Sequence, residues 1–337
     1  EGAFWPAVLT AVRRSAKNEH QSIIFGLFEG GRGCIELLQN ALTLSLYTAF
    51  TYSVLGLQVA FKLNAVIMVI LGISSWFALP DETLLKSTDR AGRTREVIEG
   101  MKLSTSLSSI WLAGFTGFCV YCIYTTLPFY VTFLTESYTV PLLGVSIFSI
   151  AATSGGRIGA ALPAGFVAKR FFGNAAGAIK NSLLFVLLLC VSLVLFPHEV
   201  ASWWFSMIVL AIMIILVFFM RALYFAPFGE MGIPPRFSGS TIAFAAFVIY
   251  LPSSFAYLFW GYLLDSYANT QGYRVLFLIL SVVATIGIVA CHRLQLTIRA
   301  GVSDLIEEKV AAVDEKLELR GVEKNFDDHV RTRESGR

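Results

Sequence analysis

Charge is scarce in this sequence. Only 15% of its 337 residues are Asp, Glu, Lys or Arg, against about 25% in an average soluble domain, while 56% are hydrophobic and 28 are phenylalanine. The mean hydropathy of +0.68 excludes a water-soluble globular protein. Long apolar runs recur along most of the chain, which also excludes a signal peptide followed by a soluble domain. The net charge is +3, and the basic residues are scattered between apolar runs instead of forming one patch, so nucleic acid is not expected as a partner. Histidine occurs four times, and His20, His198, His292 and His329 are expected in loops or in the tail. No Ser/His/Asp set, paired-carboxylate pattern or phosphate-cradling loop is present, which argues against an enzyme. The five cysteines (Cys34, Cys119, Cys122, Cys190, Cys291) lie in apolar runs, where a thiol acts as a small buried hydrophobe. Cys119 and Cys122 form a CxxC with no second pair or histidine at ligand spacing, so no metal or other cofactor is expected.

What the chain has in abundance is apolar length. Windows of about 20 residues give spans near 1–12, 23–50, 55–79, 107–134, 141–167, 176–196, 202–228, 239–264 and 274–294, about nine crossings of an all-α transmembrane protein. The loops between them alternate in charge. One set holds Arg13, Arg14 and Lys17, then Lys86, Arg90, Arg93, Arg95 and Lys102, then Lys169, Arg170 and Lys180, then Arg236 and the tail; the other set is almost free of Lys and Arg. The positive-inside rule makes the first set and the C-terminal tail cytoplasmic. The polar break at 80–104 is the longest inside the chain and marks a domain boundary. Residues 1–79 are expected to belong to an N-terminal bundle, 80–106 to a cytoplasmic loop, 107–296 to a six-helix C-terminal bundle and 297–337 to a charged cytoplasmic tail. In that tail Val302, Leu305, Ile306 and Val310 suit a short amphipathic helix.

The stretch FGLFEGGRGCIELLQN, 25–40, places Glu29, Arg32, Glu36 and Asn40 three or four residues apart, on one helix face. Counted at 1.5 Å per residue from an entry near Gln21, Glu29 lies ~12 Å, Arg32 ~16 Å and Glu36 ~22 Å into a hydrocarbon layer about 30 Å thick. Each ionisable group at such depth costs on the order of 2.5 to 3.5 kcal/mol, so these residues must face protein or a watery cavity. Two readings stand: a self-neutralising pair of Arg32 with Glu29 and Glu36, or a cavity wall that binds solute or protons. Gly26, Gly30, Gly31 and Gly33 allow close approach of another helix, and Gly155 and Gly159 repeat that spacing beside Arg157. Arg157, near the middle of its own span, either faces a cavity or pairs with a carboxylate of another helix. Arg221 and Glu230 are expected to pair across a helix end, as a gate, with direct contact to solute as the other reading. Tyr121 and Tyr124, with Thr125 and Thr126, suit either a cavity wall or plain packing. Asp265 and Arg274 bracket an outer loop as a local pair or helix-end anchor.

Three of these stretches resemble the major facilitator superfamily of secondary transporters. FEGGRG is similar to the fifth helix of one bacterial-type group, and RALYFAPFGEMGIPPRFSGSTIAFAAFVIYLPSSFAYLFWGYLLD, 221–265, is similar to a late pair of helices in the same group. Ser253 stands where an acidic residue often follows the proline. GRIGAALPAGFVAKRFFG, 156–173, resembles the superfamily's loop signature through Gly165, Ala168 and Arg170, with Lys169 at the acidic position. The resemblance implies twelve helices in two bundles, with this chain corresponding to helix four onward, since it starts at Glu1 inside an apolar run. It implies a plasma- or inner-membrane transporter of a small solute, monomeric, working by alternating access. The three intramembrane arginines, Arg32, Arg157 and Arg221, point to a small organic, anionic solute, and Glu29 and Glu36 to proton coupling. Glu29, Arg32, Glu36, Asn40, Tyr121, Tyr124 and Arg157 are then candidates for binding or coupling. Arg221, Glu230, Gly165, Arg170 and Asp265 are candidates for gating. A receptor or scaffold on the same fold is the alternative.

Overall fold

The computed structural model describes residues 8, 9, 12, 20–50, 53–78, 90–138, 140, 142–196, 202–267 and 270–313. Among them there is no strand. The first two long helices among the described residues are α1 (Gln21–Ala49) and α2 (Val54–Ala78). α3 (Arg90–Ser106) is polar. Next come α4 (Ser108–Tyr124) and α5 (Leu127–Tyr138), which form one span with a kink at Thr125 and Thr126. α6 (Leu142–Ile150) runs through a widened π-turn (Ala151–Gly155) into α7 (Gly156–Val167), and a second π-turn (Ala168–Phe172) ends that stretch. α8 (Ala175–Leu195) follows, then α9 (Trp203–Leu223) continued by the short α10 (Ala226–Glu230). α11 (Pro235–Tyr250) and α12 (Ala256–Ser266) are separated by a 3-10 turn at Pro252, which has no backbone N–H to continue a helix. The last span is α13 (Gln271–Arg299), and a short α14 covers 302–313.

Among the described residues six stretches are long and apolar enough to cross a membrane: Val54–Ser74, Ser108–Tyr138, Ala175–Leu195, Trp203–Glu230, Phe237–Ser266 and Gln271–Arg299. α1 has the length, about 44 Å, but carries Glu29, Arg32 and Glu36 in one stretch. The expected span at 141–167 is the α6–α7 pair. The expected span at 1–12 lies largely outside the described residues, as do His198, His329 and residues 80–89 of the expected 80–104 break. The rest of that break is helical, as α3. His292 is inside α13, exposed, and not in a loop.

Connections between spans are short where glycine and asparagine allow it. Gly173, at φ +78°, ends one helix in the left-handed region, and the side chain of Asn174 accepts the Gly177 N–H at 2.6 Å to begin α8. The core lies where α13 packs along α8 and α4, and α9 packs on α7 and α8. α12 is tied to the break between α4 and α5, since its Trp260 Nε1 donates to Thr125 Oγ1 at 3.0 Å. α14 buries Val302 and Ile306 and leaves Leu305 exposed, and its Lys309 donates to the carbonyl of Ser106 at the end of α3. The amphipathic helix expected there is present.

Candidate functional site

The site depends on how closely α1 approaches α7. A Cβ added to Gly26 would stand 2.6 Å from the Ala161 carbonyl oxygen, and one added to Gly165 would stand 2.5 Å from the Ile23 nitrogen. Any side chain at either position forces the helices apart. Gly33 continues the seam against Arg157 and Gly30 meets Leu162, whereas Gly31, Gly155 and Gly159 face open space. The glycine seam therefore uses three of the four α1 glycines expected and neither of the α6–α7 pair. Gly165, expected to act in a loop signature, is instead helical and buried in this contact.

The close approach brings charges from three helices to one point. Arg32 Nη1 donates to Glu29 Oε2 at 2.8 Å within α1. Arg157 Nε of α7 lies 3.4 Å from Glu29 Oε1, and Arg221 Nη2 of α9 lies 3.7 Å from the same oxygen. Arg157 also pairs through Nη1 with Glu36 Oε2. Glu29, Arg157 and Arg221 are 5%, 6% and 7% exposed, so all three are desolvated. Buried charges of this kind persist only when paired, and removing one partner leaves the others uncompensated.

Each guanidinium rests on an aromatic ring. Arg221 lies 3.8 Å from the Tyr124 centroid and 5.7 Å from that of Tyr121, Arg157 lies 4.7 Å from Phe218, and Arg32 lies 5.8 Å from Phe28. Such stacking covers the planar face and leaves the donors in the plane free to point elsewhere. Tyr224 and Tyr250 share a hydroxyl hydrogen bond of 3.2 Å beside Arg221, and Tyr121 and Tyr250 meet edge to face. A cavity of about 10 Å³, enough for one water, lies among Glu29, Arg32, Arg221, Tyr224, Phe225 and Tyr250. One turn further toward the end bearing the basic loops, Phe25 of α1 packs on Phe225 with ring centroids 6.1 Å apart, and Phe225 also meets Phe228.

Several expected pairings differ. Glu36 faces Arg157 and not Arg32, so the carboxylates of α1 serve a neighbouring helix as well as their own. Arg157 meets the carboxylates of another helix, which was one of its two readings. Arg221 turns toward Glu29 and not Glu230. Glu230 Oε1 instead accepts the backbone N–H of Ala175 at 2.7 Å, at the N-terminus of α8, where helix termini favour negative charge. Tyr121 and Tyr124 join the cluster. Thr125 and Thr126 do not, as they bond with Trp260 and Tyr130. Asn40 is half-buried one turn beyond Glu36. Lys169 and Arg170 are exposed, with Arg170 over the Phe171 ring at 5.9 Å. Asp265 lines a separate cavity of about 560 Å³ at the opposite end, with Glu136 and Tyr273, and no ion pair joins it to Arg274 among the described residues. Tyr224, Tyr250, Phe218, Phe25 and Phe225 carry no charge to betray them in an apolar run. The nearest signal for two of them is the Tyr-aromatic-Ala that follows Arg221.

The family model of the Major Facilitator Superfamily matches residues 1–232. The chain belongs to this superfamily. The all-α, multi-span architecture fits that membership, and the charge cluster lies on helices α1, α7 and α9, all inside the matched residues. Among curated proteins it is similar to the inner membrane protein YihN of Escherichia coli strain K12, with 28% identity over 297 residues that make up 85% of this chain and 66% of the relative. It is also similar to the inner membrane protein YqcE of the same organism, with 24% identity over 288 residues, 82% of this chain and 65% of the relative. The chain thus spans just under two thirds of each relative's length.

Proposed function

We propose that this chain is part of a transporter that carries a small, anionic organic solute across a membrane by alternating access. The observation that carries this reading is the buried cluster of Glu29, Arg32, Arg157 and Arg221, because three helices of a multi-span superfamily member converge on charges that packing alone does not require. Three guanidiniums raise the potential around a shared point, which draws an anion. Glu29 and Glu36 are the groups that take up a coupling proton. The Phe25–Phe225 contact closes the cluster toward the end with the basic loops, and we assign that end to the cytoplasm, together with the C-terminal tail. The names of the two relatives place those proteins in an inner membrane, and the same location is proposed here. The bundle boundaries near 79 and 107 belong to the same reading.

The test is flux. The full-length protein in proteoliposomes on a solid-supported membrane, challenged with jumps of small carboxylates, phosphate esters and neutral analogues, is expected to give transient currents with anionic compounds. Those currents are expected to change with an imposed pH gradient and to fall with Arg32→Gln. Currents unaffected by Arg32→Gln contradict the site, insensitivity to the pH gradient contradicts proton coupling, and silence across the panel contradicts transport.

A further inference from the structure

Arg221 has two buried donors without a hydrogen-bond partner, against one on Arg157, whose Nε stands 3.4 Å from Glu29 Oε1. The Nε and Nη1 of Arg221 are buried and have no hydrogen-bond partner among the described residues, and Glu29 Oε1, facing Nη2 at 3.7 Å, is also without one. A buried donor without an acceptor is costly, so the donors on either side of Nη2 are placed for an acceptor that the resting protein supplies only poorly. The Tyr124 ring at 3.8 Å covers the face of the guanidinium, and an incoming group therefore meets the in-plane donors, whose fork matches a carboxylate or another planar or tetrahedral oxyanion. A cavity of about 10 Å³ has no room for a solute beside Glu29, so something must move for one to enter. Glu29 has somewhere to go, because its other oxygen already holds the Arg32 bond at 2.8 Å on its own helix.

We infer that the solute presents a single anionic group to the Nε and Nη2 edge of Arg221, and that Glu29, which faces Nη2, is the resident carboxylate that occupies this place when the solute is absent. The inference rests on the transport reading for its solute, but the anion site can be tested without flux. Binding then exchanges one carboxylate for another at Arg221, while Glu29 keeps its bond to Arg32. Tyr224 and Tyr250, which line the same small cavity, present hydroxyls to the rest of the solute. A neutral analogue of equal shape gains nothing at Arg221 and leaves Glu29 in place.

Acetate, which has the head group of a glutamate side chain, is the probe, and acetamide is its neutral isostere. Thermal unfolding of the full-length protein in detergent is measured with each at 100 mM, for wild type, Glu29→Gln and Glu29→Gln/Arg221→Gln. Acetate is expected to raise the Tm of Glu29→Gln by about 3 °C or more beyond its effect on wild type, as a ligand that binds only the folded state does. That excess is expected to vanish in the double variant and with acetamide. An equal acetate effect on wild type and Glu29→Gln, or an effect that survives loss of Arg221, overturns the assignment. If Glu29→Gln does not fold by itself, acetate in the extraction buffer is expected to restore a monodisperse protein and acetamide is not; failure of that rescue also overturns it. Acetate binding without solute flux removes the transport reading alone, and flux without acetate binding removes this assignment alone.

Discussion

α1 and α2 are consecutive helices of 29 and 25 residues that pack against each other, with Asn64 Nδ2 donating to Thr43 Oγ1 at 3.3 Å across the pair. They differ in what covers them. Only 11% of the α2 span is buried, and Phe61, Met68, Val69 and Phe77 are all exposed. The first half of α1 buries Phe25, Gly26, Glu29, Gly30 and Gly33, while its second half exposes Ile35 and Leu38 much as α2 does. In a bilayer an apolar side chain gains little by leaving lipid for protein, because lipid tails are as apolar as leucine. Hydropathy therefore reports lipid contact. Protein contact is reported by the residues that lipid penalises or that let backbones meet, here Glu29 with Gly26 and Gly33. α2 shows that a charge alone is not enough, since its Lys62 is exposed and has no glycine seam beside it.

Substitutions in the two helices should separate these cases. Glu29→Ala is expected to have the largest effect, a loss of about 3 to 5 kcal/mol, because it strands buried guanidiniums; thermal and denaturant unfolding in detergent measure it. Gly165→Val is expected to cost about 1 to 3 kcal/mol by pushing α1 off α7, and a loss of stability no greater than that of Gly31→Val would break the seam argument. Glu230→Gln removes only a carboxylate at the start of α8 and is expected to cost about 1 kcal/mol at most, with no change in acetate binding at Arg221. Lys62→Leu on α2 is expected to stay within about 0.5 kcal/mol of wild type, and a large loss there would show that α2 has a protein partner.

Much of this contrast is legible in the sequence. The three-and-four spacing of Glu29, Arg32 and Glu36 in an apolar run shows that one face of α1 must avoid lipid. Partner choice is not legible. Arg32 and Glu36 are spaced to pair on one helix, yet Arg157 takes Glu36, because a crossing set by Gly26 and Gly165 presents a second guanidinium and helix periodicity says nothing about crossings. Arg221 and Glu230 lie nine residues apart on one segment, but the kink at Pro227 turns Glu230 to the start of α8 and leaves Arg221 to Glu29. The tyrosines are silent for another reason. In an apolar span Tyr224 and Tyr250 read as packing, and only their position beside Arg221 makes them part of a site.

The account stands on Glu29 and Arg221 acting as one unit across two helices, and a double-mutant cycle tests that most directly. With Glu29→Gln, Arg221→Gln and the pair measured by denaturant unfolding in detergent, the double variant is expected to lose less stability than the sum of the singles, by about 1 kcal/mol or more. Additive losses within about 0.3 kcal/mol would contradict it.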